Sequence, residues 1–131
     1  MAEARGEGDY DPAFASLASA QVAGVVVVPS TLAVKEGEPL AQAALKHRLP
    51  TIFAFRQNAE RGGLMSYGPD LRDALRRSAS HVDRILRGAN PAELPVDQAV
   101  RFELTINQQT AKALGLSMPS AVLARADEVI E

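Results

Sequence analysis

The chain has 131 residues, enough for one domain with a real core; its apolar share of 47% and charged share of 23% are those of an ordinary globular protein. A formal net charge of −2 supplies no basic field for nucleic acid or anionic membrane, and the absence of cysteine excludes disulfides and thiolate metal sites. The longest apolar run, Val25 to Val28 with Ala23 and Gly24 before it, is too short to span a bilayer. The first nine residues are polar and lack the apolar core of an export signal, so the chain as it stands is expected in the cytoplasm.

Residues 1–10 are small, charged and glycine-bearing, the composition of a disordered terminus. Asp11-Pro12 then offers an N-cap acceptor followed by proline at a first helical position, and Phe14, Leu17, Ala18 and Val22 recur at helical spacing. Four consecutive valines, Val25 to Val28, predict a strand buried on both faces. After Pro29-Ser30-Thr31 and a loop, a helix is expected from Pro39 to Arg48 with Leu40, Ala43, Ala44 and Leu45 inward. Thr51 to Phe55 reads as a second strand, and strand, helix, strand at this spacing makes a right-handed βαβ unit with parallel neighbours. Gln57 to Arg61 suits a short helical turn.

Arg61 to Asp70 is a crossing stretch. Gly62-Gly63 opens it, Leu64, Met65 and Tyr67 form an apolar extended run, and Gly68-Pro69-Asp70 starts a helix. From Asp70 to Leu86 the periodicity is the strongest in the chain. Leu71, Ala74, Leu75, Ala79, Val82, Ile85 and Leu86 share one face, and arginines and aspartates fill the other. Asp73–Arg77 and Asp83–Arg87 are i,i+4 pairs with the acid N-terminal, the better orientation. Gly88 and Asn90-Pro91 stop the helix. Val100 to Ile106 alternates apolar and polar as a strand with one wet face, Asn107 can cap a helix to Leu114, Pro119 opens a last short helix, and Val129-Ile130 can add a terminal strand residue or two.

The turn Pro29-Ser30-Thr31 follows a predicted parallel strand, and solutes collect beyond the carboxyl ends of such strands. Ser30 and Thr31 are therefore candidate ligands for a carboxylate or amide, although an ordinary strand-to-helix loop has the same pattern. Phe55 and Arg56 stand at the equivalent end of the second strand, where a ring and a guanidinium could stack on and pair with a small anion, or serve as a core residue and a solvated charge. Tyr67, in the crossing stretch, offers an apolar ring with a polar tip to line a cleft or to pack.

Other constellations are missing. His47 and His81 each neighbour an arginine on a polar helix face and have no carboxylate at metal-ligand spacing, so both read as solvated and no metal is expected. Asp70 reads as a helix-start residue rather than a general base. Ser30 lacks the glycine-flanked elbow of a hydrolase, and Gly62-Gly63 makes no dinucleotide or phosphate loop. No catalytic residue and no cofactor is expected. The arginines of the long helix are interleaved with aspartates and lack aromatic neighbours, so nucleic acid is not an expected partner.

Several segments in order carry a resemblance: His47 to Ile52; the specific run Gly62-Gly63-Leu64-Met65-Ser66-Tyr67-Gly68-Pro69-Asp70; Val82 to Pro91; Leu94-Pro95-Val96; Phe102 to Asn107; and Thr110 to Leu116. Together they resemble the C-terminal part of ABC transporter substrate-binding proteins of the type I periplasmic binding fold, a family that includes binders of aromatic amino acids. The resemblance runs from about Asp11 onward. It implies an α/β fold, a partial Rossmann-like lobe of parallel strands flanked by helices, with a long amphipathic helix belonging to the other lobe. Residues 11–61 would be the βαβ part of the second lobe, 62–91 the crossing strand and long helix of the first, and 92–131 the return strand and C-terminal helices.

The implied function is solute binding in an ABC import system. A small molecule such as an amino acid or small carboxylate would occupy an interlobe cleft at Ser30, Thr31, Phe55, Arg56 and Tyr67, with a membrane permease as the partner of a full-length protein. The family is exported. By the same resemblance the first-lobe sheet, the earlier strands of the second lobe and the export signal are expected to be missing from this stretch of chain. The acidic or amide residue that the family often carries near the Ser30-Thr31 turn is also missing. The alternative is a cytoplasmic sensory or interaction module that uses the half-fold and the 70–86 helix to oligomerise. At about 25 cal/mol per Å² the apolar face of that helix carries several kcal/mol of burial, so it should fold back on its own strands or associate.

Overall fold

The structure, a computed structural model, describes residues 1–96, 98 and 101–131. Its backbone is one five-stranded sheet in the order β1-β2-β3-β4-β5, formed by Val25–Val26, Thr51–Phe53, Met65–Pro69, Phe102–Asn107 and Glu128–Ile130. β1, β2 and β3 are parallel, β4 runs antiparallel to β3, and β5 is parallel to β4. The helices are α1 (Glu7–Ser19), α2 (Thr31–Lys35), α3 (Gly37–Lys46), α4 (Arg56–Glu60), α5 (Leu71–Leu86), α6 (Gln108–Ala113) and α7 (Ser120–Leu123). The α/β class and the parallel βαβ pairing of the first two strands are as expected. The predicted strand start at Val100 lies outside the described residues.

The core joins Tyr10 and Phe14 of α1 to Leu40, Ala43 and Ala44 of α3, then to Leu49 and Phe53. Val25 and Val27 pack against this cluster while Val26 and Val28 are exposed. The expectation of a first strand buried on both faces is therefore corrected: the core cluster covers one face of the valine run, and period-2 alternation exposes the other valines. α1 starts at Glu7, four residues ahead of the Asp11-Pro12 cap suggested by sequence, and holds Pro12 internally. Tyr10 explains the longer helix. Its ring is buried, and its hydroxyl donates to the Glu36 carboxylate at 2.8 Å, tying the first turns of α1 to the start of α3. The predicted loop after Thr31 contains α2, capped by the Ser30 hydroxyl, which accepts from the Ala33 amide at 3.0 Å.

Two glycines set the position of β3. A side chain at Gly63 would meet the Phe53 ring at 2.6 Å, and one at Gly68 would meet the Ala54 carbonyl oxygen at 1.9 Å. Only glycine lets β3 lie this close to the turn after β2. The amide of Asn58 donates to the Ala33 carbonyl at 2.7 Å, and that of Asn107 donates to the Ala59 carbonyl at 2.9 Å. These buried bonds anchor α4 between α2 and β4.

α5 is formed as its sequence predicts. The Asp70 carboxylate caps it, accepting from the Arg72 and Asp73 amides, and Asp83–Arg87 closes at 2.9 Å. No residue of this 16-residue helix is buried.

Candidate functional site

The carboxyl ends of β1 and β2 and the far half of β3 open on one end of the sheet, where β4 and β5 begin. Ser30 and Phe55 are the residues just before α2 and α4, in extended conformation, because each must leave its strand and enter a helix. The Gly68 backbone lies against Ala54, so Phe55, Arg56 and Tyr67 stand at the same end of the sheet but not on one face: the ladder turns Tyr67 away from the face of Glu103 and Glu128, where Arg56 pairs. Three of the five predicted site residues thus stand at one end of the sheet, with Tyr67 on the opposite face from Arg56. Ser30 and Thr31 stand at the neighbouring turn, and the Asn58–Ala33 bond ties their helix, α2, to α4.

Two of the predicted polar groups already have partners. The Ser30 hydroxyl is occupied as the helix cap. The Arg56 guanidinium bridges Glu60 at 2.7 Å and Glu128 at 2.7 Å, so it is neutralised by two carboxylates instead of standing open to an anion. The Glu60 hydrogen bond holds Arg56 more firmly protonated than usual. Phe55 is half-buried, whereas Thr31 is exposed and Tyr67 keeps 57% of its surface.

The structure adds residues that the sequence reading passed over. Phe102 stacks on Tyr67 with ring centroids 5.8 Å apart, and both rings are about half exposed. They come together because Phe102 stands opposite Pro69, and Tyr67 opposite Leu104, on the same face of the β3–β4 ladder. Opposite Gly68, on the other face, is Glu103; burial and then the Asp70 charge push its carboxyl above the usual carboxylate range. Glu128, at the start of β5, lies on the Glu103 face, where it holds Arg56. The available signal was the alternating Phe102-Glu103-Leu104 pattern, but its register against Tyr67 could not be read from one strand alone.

A groove of 490 Å³ runs along β1, lined by Tyr10, Phe14, Leu17, Val26, Val28 and Ser30 among others. Of the five predicted site residues Ser30 alone reaches it, and its walls are largely apolar. Among the described residues no group of His, Cys, Asp or Glu could hold a metal ion. His47 is not simply solvated: its Nε2 meets the Asp11 carboxylate at 2.8 Å beside Lys46, which draws the Asp11 carboxyl below its ordinary range.

The family model described as ABC transporter substrate binding protein matches residues 8–130. The chain belongs to that family. Among solved structures, a conserved domain protein from Vibrio cholerae is 29% identical with a TM-score of 0.86, covering 96% of this chain and 42% of that one. The ABC domain from Streptococcus pneumonia, described in complex with L-Trp, is 23% identical with a TM-score of 0.85, covering 97% and 43%. A ligand-free, open substrate-binding protein with adhesive properties from Clostridium difficile is 20% identical with a TM-score of 0.67, covering 95% and 41%. No curated protein matches the chain. The chain therefore spans less than half the length of these solved relatives. Members of this substrate-binding family work typically in the periplasm or outside the cell; among the described residues no helix is long and apolar enough to cross a membrane.

Proposed function

We propose that this chain is the second-lobe portion of a solute-binding component of an ABC import system, non-enzymatic, and that it contributes Ser30, Thr31, Phe55, Arg56 and Tyr67 to an interlobe cleft. The observation that carries the reading is the family match over 8–130 together with the gathering of Phe55, Arg56 and Tyr67 at one end of the sheet. In this reading 11–61 and 92–131 belong to the second lobe and 62–91 reaches toward the first. The solute is an amino acid or small carboxylate, delivered to a membrane permease, and the complete protein works outside the cytoplasm. The L-Trp complex described for the pneumococcal relative supports an amino acid. The half-exposed Tyr67–Phe102 pair supports a planar or apolar side chain on it. Because Arg56 is held by Glu60 and Glu128 and the Ser30 hydroxyl caps α2, a solute carboxylate is better served by the exposed Thr31 hydroxyl.

Isothermal titration of the chain against the amino acids and small mono- and dicarboxylates tests this. One class is expected to bind, and Tyr67→Ala and Phe55→Ala are each expected to weaken it at least about tenfold, or about 1.4 kcal/mol. No heat from any compound, or binding indifferent to both substitutions, would count against the cleft.

A second reading has its own observation. The outward apolar face of α5, with Leu75 73% and Leu86 81% exposed, supports a sensory or interaction module that oligomerises through this helix.

A further inference from the structure

α5 is seated on its own chain the wrong way round for an amphipathic helix. Its half-buried residues are Asp73, Ala74, Arg77 and His81, which form one stripe toward the rest of the molecule. The Arg77 guanidinium donates to the Gln98 carbonyl from this stripe. At 3.6 residues per turn Leu71, Leu75, Val82 and Leu86 fall within an arc of about 60° on a different side, and that side faces out.

The outward stripe is self-complementary. A two-fold axis between Ser78 and Ala79 sets Leu71 opposite Leu86 and Leu75 opposite Val82, with two small side chains at the centre where the helices come closest. One edge of the stripe carries Arg72, Arg76 and Asp83, within about 40° of one another on the helical wheel. In an antiparallel pair the same edges meet, and the partner helix's aspartate then falls between the two arginines, about 3 Å along the axis from each. Arg76 makes no ion pair among the described residues, and Asp83, paired at 2.9 Å with its own largely exposed Arg87, would share its carboxylate with the partner's arginines.

Resting on the second reading above, we infer that the occupant of this face is a second copy of the chain, docked through α5 in an antiparallel pair centred between Ser78 and Ala79. Apolar matching supplies the adhesion, and the Arg72/Arg76–Asp83 charges select the direction. A single-helix contact lies at the small end of interface sizes, so dissociation is expected on the order of 10–100 µM.

Two measurements test it, neither involving a solute. Light scattering across a concentration series should move from 13.9 kDa toward twice that mass. Leu75→Glu with Val82→Glu should hold the chain at the monomer mass, while its sheet core melts as before. Asp83→Arg alone should weaken association at least tenfold, and Asp83→Arg with Arg72→Glu and Arg76→Glu should restore it. Because the chain has no cysteine, single cysteines report the register. Ala79→Cys should cross-link to its copy on mild oxidation, whereas Leu71→Cys should not, its copies lying about 20 Å apart along the pair. A chain that stays monomeric at about 500 µM would overturn both the association and the reading beneath it. A dimer in which Leu71→Cys cross-links as readily as Ala79→Cys, or which the Glu pair leaves intact, would overturn the antiparallel α5 contact alone.

Discussion

The first sixty residues and α5 obey the same helical rule and meet opposite fates. α1 and α3 turn Tyr10, Phe14, Leu40 and Ala44 into a common core with Phe53, each less than a tenth exposed. α5 has the strongest apolar periodicity in the sequence, yet buries nothing. The difference lies in what each face can reach. The α3 face meets the strands of its own βαβ unit, and α1, just before β1, packs beside it, so short connections suffice to bury both. α5 follows Pro69 at the end of β3, is tied back by a polar stripe, and has no strand of its own to cover Leu75 and Val82. Amphipathicity states a demand for a partner surface; whether one is present is a property of the surrounding chain.

The contrast is open to direct attack, most severely at the glycines that let β3 meet the core. Gly68→Ala places a carbon 1.9 Å from the Ala54 carbonyl oxygen and 2.9 Å from its carbon, both backbone atoms that cannot rotate away. The expected loss exceeds about 4 kcal/mol, a large share of the stability of a domain this size, so cooperative thermal unfolding should vanish. Phe53→Ala should follow at about 3–5 kcal/mol, since the ring is 2% exposed at the centre of the core. Leu75→Ala in α5 should stay within about 0.5 kcal/mol in the monomer. Chemical denaturation of all three at low concentration checks the ranking, and a Leu75 cost equal to that of Phe53 would mean that α5 is covered within the monomer. Asn58→Ala is intermediate: it leaves the Ala33 carbonyl without its 2.7 Å donor inside the fold, at about 1–3 kcal/mol.

The same contrast explains what could be read in advance. The parallel βαβ pairing, the span of α5 and its Asp70 cap, and the Asn107 cap were legible because they rest on local pattern and capping chemistry. The exposed faces of Val26 and Val28 were not, because a run of four valines carries no information about whether one layer of helices or two will cover it. The start of α1 was misplaced because a buried Tyr10 bonded to Glu36, 26 residues on, outweighed the local Asp11-Pro12 signal. At the candidate site, Phe55, Arg56 and Tyr67 were proposed from their place near strand ends. The contacts of Phe102 with Tyr67 and of Glu128 with Arg56 were not legible, since the first needs the β3–β4 register and the second the β4–β5 pairing to be known. The commitment of Arg56 to two acids likewise depends on a partner 72 residues away.

The smallest expected effect is on pH, and it separates the two regions by mechanism. The Asp70 carboxyl is held below its ordinary range, first by the Asp73 amide and then by the Arg72 amide at the open end of α5. A carboxyl with a depressed folded-state pKa contributes its stability above the ordinary carboxylate range and loses it as pH falls through the folded value. Acidification should therefore fray the first turn of α5 while Phe53 and Leu40, which involve no charge, stay packed. Asp70→Asn keeps a good cap but cannot titrate, and it forgoes the charge–dipole attraction at neutral pH. Amide exchange at Arg72 and Asp73 should then be somewhat faster than in the parent chain at pH 7 and nearly flat on acidification, whereas the parent rises to meet it after correction for intrinsic exchange. The Asp11 carboxyl, lowered by Lys46 and His47, also weakens with acid, but its loss is felt between α1 and α3 and serves as the internal control. If both regions opened together in parent and variant alike, α5 would be part of one cooperative unit with the core, and the division drawn between them would fail.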